Sequence, residues 1–248
     1  MSTNAATLLA RLNNELAQPV RHDLSTDSLN RWLGWLTKLQ SRIEQVAATI
    51  KPLMSNASYS DTGRAAQIAD LATASIPQFA WLGNLGDDLD NGCKRSESQL
   101  LAVESPIKDP ILRELRAQEG RSDLRDLAPH EIDAAFLKAS QEDRDEIMWA
   151  LLNSPTGPMV SDDMQARALT DRAQRLQPDL YATWKDLELL RDSMTSWRQH
   201  ISLWLTGLGA APQLVADTLR LPYADQPGFQ PPQLKGPEWA RAILASVA

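Results

Sequence analysis

Two interleaved seven-residue series of apolar side chains run through residues 26–54, and they constrain this chain more than any other feature. One is Leu29, Leu36, Ile43 and Ile50; the other is Trp32, Leu39, Val46 and Leu53. All eight are apolar, which is the spacing of a long helix packed along one seam. Ser25, Thr26 and Asp27 offer N-caps ahead of it. Leu33 and Trp35 widen the stripe near its start, so more than one helix is expected to cover that end. The same logic predicts a second long helix over 178–206. Pro178 suits a first helical position, and Gly207 and Gly209 suit a C-terminal stop. Between them Leu180, Leu187, Met194, Ile201 and Leu208 recur every seven residues, with Thr183, Leu190, Trp197 and Trp204 as the companion series. Both rods would be roughly 40 Å long at 1.5 Å per residue. Two such rods most simply pack side by side as the spine of a bundle.

Shorter helices are expected around them. Leu8, Leu9, Leu12 and Leu16 form one stripe over 4–17, and a helix over 61–76 ends at Pro77. Residues 83–94 read as a loop, because Gly83, Gly86 and Gly92 stand among acidic and amide side chains. A short helix is expected over 96–104. Asp109 and Pro110 cap another that stops at Gly120, and Pro129 opens the next. Ser140, with Asp143 three residues on, approximates a capping box for the helix carrying Ile147, Met148, Leu151 and Leu152. Residues 154–158 read as a turn, and Ser161 as the cap of a helix to 176. Three tyrosines and three phenylalanines leave little material for strands. The expected fold is therefore all-α: an irregular helical bundle over 1–221, built on the two heptad-patterned helices. A Pro/Gly-rich arm follows over 222–237, holding five of the fifteen prolines. A short amphipathic helix over 238–248 ends the chain, with Trp239, Ile243, Leu244 and Val247 near one face.

Charge narrows the function classes. The net charge is −7, and residues 61–180 hold −9 of it between flanks of +2 and 0. No basic stripe is present to neutralise phosphates, so no nucleic-acid partner is expected. The longest apolar run, Ile147–Leu152, is six residues against the roughly 20 a membrane helix needs. The first eighteen residues lack the basic-then-apolar pattern of a secretory signal. A single cysteine, Cys93, excludes a disulfide framework and suits a reducing compartment. A soluble, cytoplasmic protein without a membrane partner is the expectation.

Chemistry-bearing patterns are sparse. His22, His130 and His200 lie far apart, and neither a nucleophile elbow nor a cysteine-protease signature surrounds Cys93 or any serine. Residues 87–92 start like a calcium loop. Aligning Gly92 with the obligatory glycine, however, puts Leu89 at a ligand position and Ser98 where a bidentate glutamate belongs. Asp87, Asp88 and Asp90 remain as a looser cation site. Glu142, Glu146, Asp162 and Asp163 extend that alternative to a magnesium-dependent helical hydrolase or transferase, although helix N-termini attract such residues without any chemistry. No phosphate-cradling glycine motif occurs. No catalytic residue and no cofactor is assigned. The leading reading is a non-catalytic protein–protein interaction or assembly protein, self-associating or binding a protein partner through Trp239, Ile243, Leu244, Val247, Trp35 and Trp184. The remaining alternative is a small-molecule binding module with a Trp-lined pocket between the rods.

Overall fold

A computed structural model describes residues 4–17, 24–54, 56, 58–221, 241 and 244, and among these every regular element is helical. In chain order they are α1 (Ala5–Ala17), α2 (Thr26–Met54), α3 (Asp61–Ser75), a 3-10 turn (Ile76–Phe79), α4 (Ala80–Leu100), α5 (Pro110–Leu124), α6 (Pro129–Gln141), α7 (Asp145–Leu152), α8 (Asp162–Leu176), α9 (Pro178–Gly207) and α10 (Pro212–Leu219). The chain divides into two compact units, Met1–Asn91 with Asp186–Ala248, and Gly92–Lys185. The divisions fall inside α4 and α9. The expected arm over 222–237 and most of the terminal helix lie outside the described residues.

In the first unit the core is built from the seams expected of the long helices. Trp32, Leu36, Leu39, Ile43, Val46 and Ile50 of α2 are buried. From α9, Leu190, Met194, Trp197, Ile201, Trp204 and Leu205 join the same cluster, with Leu208 just beyond its end. Leu8 and Leu12 of α1 and Leu82 and Leu89 of α4 close it. The Phe79 ring meets Trp204 edge-on, with centroids 6.2 Å apart, a favoured aromatic geometry. The Trp32 indole donates to Ser193 Oγ at 3.0 Å, which satisfies its only polar side-chain atom inside the core. Truncating any of Trp32, Trp197 or Trp204 to alanine would forfeit about 3–5 kcal/mol.

The second unit packs Ile132, Phe136 and Ala139 of α6 against Met148 and Leu151 of α7 and Ala168 and Leu169 of α8. Leu100, Ala173 and Trp184 form a smaller cluster. Asp109 caps α5 as its sequence position predicts, accepting from the backbone N–H of Ile111 and Leu112 at 2.9 Å each. Gly157 carries the expected turn at φ +98, a backbone that favours glycine.

Four local expectations are overturned. Residues 83–94 are not a loop but the middle of α4. Gly83 and Gly86 are there because the helix is approached closely. A Cβ on Gly83 would lie 2.5 Å from the Thr218 carbonyl oxygen, and one on Gly86 2.1 Å from the Arg198 guanidinium. No separate helix covers 96–104, since α4 simply runs on to Leu100. Gly120 does not stop α5, which continues to Leu124. Ser140 caps nothing: it lies within α6, its hydroxyl donating to the Leu137 carbonyl at 2.8 Å. α7 starts after Arg144 without a side-chain cap, whereas at the start of α6 Glu131 accepts from the Ala128 N–H at 2.8 Å.

The glycines give a stability test. Gly34, on the exposed side of α2, has no atom within 4 Å of a would-be Cβ. Gly34→Ala should therefore stabilise the protein by about 0.5–1 kcal/mol through helix propensity. Gly83→Ala should cost about 1–3 kcal/mol, because backbone must move. Urea denaturation of the two variants checks both signs.

Candidate functional site

Of the acidic residues singled out from sequence, Asp87 and Glu142 pair with basic side chains, and Asp90 lies near one. Asp87, on α4, pairs with Arg220, which also donates to Asn84 Oδ1 at 2.8 Å. Asp90 is the counter-charge felt by Arg198, a guanidinium only 5% exposed whose pKa is drawn down by burial and partly restored by that carboxylate. Asp88 is exposed on α4. Glu142 lies between Lys138 and Arg144, and Arg172 donates to Asp145 at 2.7 Å. Glu146 is exposed in the first turn of α7, as are Asp162 and Asp163 in that of α8. Among the described residues no group of three His, Cys, Asp or Glu side chains is placed to hold a metal ion.

Around α1 and α9 the polar groups form a connected set. Arg11 donates to Glu15 at 3.2 Å, lies 5.3 Å from the Trp197 ring centroid and contacts His200 Nε2. A guanidinium can only donate, so His200 accepts at Nε2 and its Nδ1–H donates to the Ser196 carbonyl at 2.6 Å. The second Glu15 oxygen accepts from Trp197 Nε1 at 3.2 Å. Together with Trp32, Asp192, Ser193 and Ser196, the residues Arg11, Glu15 and Trp197 border a cleft of about 250 Å³. Both indoles form its inner wall and are 1% exposed, so the accessible edges are polar.

Of the aromatic and aliphatic residues expected to meet a partner, Trp35 is half-buried against the core of the first unit. Trp184 is buried with Leu100 and Ala173 and covered by the Lys185 ammonium at 4.4 Å. Leu244 is helical, half-buried and packed on the core of the first unit. Trp239, Ile243 and Val247 lie outside the described residues, as does His22.

Among the described residues, three exposed large aliphatic side chains come together elsewhere, on α5. Ile111, Leu112 and Leu115 are exposed by 74, 49 and 54%. Their spacings of three and four residues place them on one helix face. The opposite side of α5 is the docked one. There Ala117 is buried, Arg113 stacks 4.9 Å from the Trp149 centroid, and Arg121 donates to the Ala150 and Asn153 carbonyls at the end of α7. Two arginines and an alanine thus hold α5 to α7 and leave three branched aliphatic side chains facing solvent. Reading along the sequence missed this face, although Ile111, Leu112 and Leu115 lie on the opposite side of a helical wheel from Ala117 and Leu124. That wheel was the available signal.

Comparison with protein-family models, curated proteins and solved structures finds no match.

One electrostatic contact of the second unit has a measurable consequence. Asp143 sits at φ +54 between α6 and α7, and Arg175 clasps it with two hydrogen bonds of 3.0 and 3.1 Å. Those bonds, reinforced by the charges of Arg175 and Arg172, outweigh desolvation and hold its carboxyl below the ordinary 3.8. A carboxylate depressed in the folded state stabilises above its unfolded pKa, and that contribution is lost as pH falls below about 4. Asn tolerates the same left-handed backbone, so Asp143→Asn removes the charge and one of the two acceptor oxygens without straining the turn. Urea midpoints measured between pH 7 and pH 3 should fall less steeply for Asp143→Asn than for the parent.

Proposed function

We propose that the chain is a non-catalytic protein–protein interaction or assembly protein that engages its partner through the apolar face of α5. The observation that supports this reading is the contiguity of Ile111, Leu112 and Leu115, each at least about half exposed on one face of a helix whose other face is docked. Single exposed leucines are ordinary, whereas adjoining ones mark a surface that is covered in use. Burying each such side chain against a partner gains about 1.5–3 kcal/mol. Three together anchor an association on the scale of interface hot spots. The role of adaptor, regulator or component of a larger particle fits equally, and a reducing, cytoplasmic setting suits a chain with one cysteine. The magnesium-enzyme alternative draws less support, because two of its carboxylates, Asp87 and Glu142, lie against basic side chains.

The test is the pair Ile111→Asp with Leu115→Asp, compared with the parent chain by affinity capture from the native host and by sedimentation of the purified protein. The variant should keep the parent's far-ultraviolet circular dichroism and lose the captured partner or the self-associated species. Identical capture and identical sedimentation would sink the reading.

A second reading, a small-molecule module, draws on the cleft bordered by Trp32 and Trp197. Ligands entering it should change tryptophan emission, and replacing Trp32 and Trp197 by Phe should abolish that response. Emission indifferent to a broad panel of small organic ions counts against it.

A further inference from the structure

We propose that the cavity lined by α5, α6 and α7 in the second unit binds a small amphipathic anion, an aliphatic chain ending in a carboxylate. The site is separate from the exposed face of α5, since Ile111, Leu112 and Leu115 line none of it. The cavity measures about 230 Å³. At the ~30 Å³ that one water occupies in the liquid, it has room for about seven methylene-sized groups. It lies just below the ~300 Å³ at which drug-sized pockets begin. Its walls are apolar, with Leu124, Ile147 and Leu151 as the large contributors and Ala135, Ala139 and Ala150 between them. The charged lining residues are Lys138, Arg144 and, on the α5 side, Asp123.

Gly120 differs from the equally uncrowded Gly34 in lying in the wall of this cavity. It lies inside α5, where glycine is the poorest choice after proline. Nothing in its surroundings requires it: a Cβ there meets no atom within 4 Å, in contrast to Gly83 and Gly86. A large side chain at this position would occupy part of the cavity.

The cationic edge supplies the other half of the recognition. Glu142 places one carboxylate oxygen 4.0 Å from Lys138 Nζ and the other 3.8 Å from Arg144 Nη1. Two cations of the lining therefore already flank the Glu142 carboxylate, yet both separations exceed the roughly 2.7–3.2 Å of a hydrogen bond. A ligand carboxylate entering closer would take the N–H donors that Glu142 does not reach, the guanidinium offering a two-pronged fork. Its alkyl chain would then lie against Leu124, Ile147 and Leu151. Glu142 competes for the same cations, and Asp123 opposes the anion from the other lip.

Calorimetric titration of the full chain with octanoate tests the site, with octan-1-ol as the uncharged probe. Octanoate should bind saturably with one equivalent per chain and at least tenfold more tightly than octan-1-ol. Lys138→Glu with Arg144→Glu should weaken octanoate at least tenfold, and Glu142→Gln should tighten it several-fold. Gly120→Leu should weaken it at least tenfold with no fall in the thermal unfolding midpoint, because leucine favours the helix. Gly120→Ala supplies the graded control and should weaken it less. Absence of saturable binding, octan-1-ol binding as tightly as octanoate, or an unchanged affinity in the Gly120→Leu chain overturns the proposal. None of these outcomes depends on the exposed face of α5, so the chain carrying Ile111→Asp with Leu115→Asp should bind octanoate like the parent.

Discussion

A helix with almost no free side organises the first unit. Between Leu190 and Gly207, α9 buries Met194, Trp197, Ile201, Trp204 and Leu205, and it also buries Ser193, Arg198, Ser202 and Thr206. Only a narrow strip, Asp192, Gln199 and Leu203, is exposed. A helix covered so widely must have neighbours on most of its faces, and its polar groups must find partners there. The surrounding elements answer much of that demand, while Arg198 Nε and Thr206 Oγ1 stay buried without a hydrogen bond. α2 brings Trp32, whose indole N–H satisfies Ser193. α1 brings Glu15 for the Trp197 N–H and Arg11 for the ring of the same residue. α4 brings Gly86, against which the Arg198 guanidinium lies. Asp186, one turn ahead of this stretch, accepts from the Ser25 backbone N–H at 3.2 and 3.3 Å, so the same helix also fixes the entry to α2. Burying Arg198 is costly, and Thr195 at 3.0 Å with the nearby Asp90 charge offsets part of that cost.

How much of this was legible depends on what each residue answers to. The two rods were readable because seven-residue repetition is a property of the chain alone: α2 and α9 span Thr26–Met54 and Pro178–Gly207. The Asp109–Pro110 cap was readable for the same local reason. α4 was misread because its residues answer to distant ones. Gly83 accommodates the Thr218 carbonyl, Gly86 accommodates Arg198, and Asp87 meets Arg220, all of them remote in sequence. Local propensity sees glycines and acids and predicts a loop, while tertiary packing makes the same residues a helix. The α5 surface failed for a different reason. Its helical period was clear, but a period does not say which apolar side a neighbour will cover.

The acidic middle of the chain shows how charge can be absorbed by folding. Asp143 and Asp145 stand at the entrance to α7, where the helix dipole favours them, and Arg175 and Arg172 reach from α8 to pair with them. Arg175 also donates to the Ser140 carbonyl at 2.7 Å, so one guanidinium ties the end of α6 and the α6–α7 turn to α8. A carboxylate held in a two-pronged arginine fork is a poor cation ligand, because its charge is already compensated and each oxygen already accepts a hydrogen bond. Net negative charge in sequence therefore translated here into helix-to-helix ties.

The glycines separate structural necessity from something left over. In α4 a side chain at position 83 or 86 would strike backbone or a buried guanidinium, so packing alone accounts for glycine there. In α5 no such contact exists at position 120, and the helix carries the conformational cost of glycine without a steric reason. Docking of α5 does not supply one either, because Arg113, Ala117 and Arg121 make that contact. What the missing side chain leaves is volume, bordered by Leu124, Ile147 and Leu151 and edged by two cations. Close packing is the norm in protein interiors, and an apolar hollow of this size forfeits dispersion contacts along its whole lining. A larger side chain at position 120 would take up part of that hollow, and the proposed ligand, apolar with an anionic head, matches both its volume and its cationic edge.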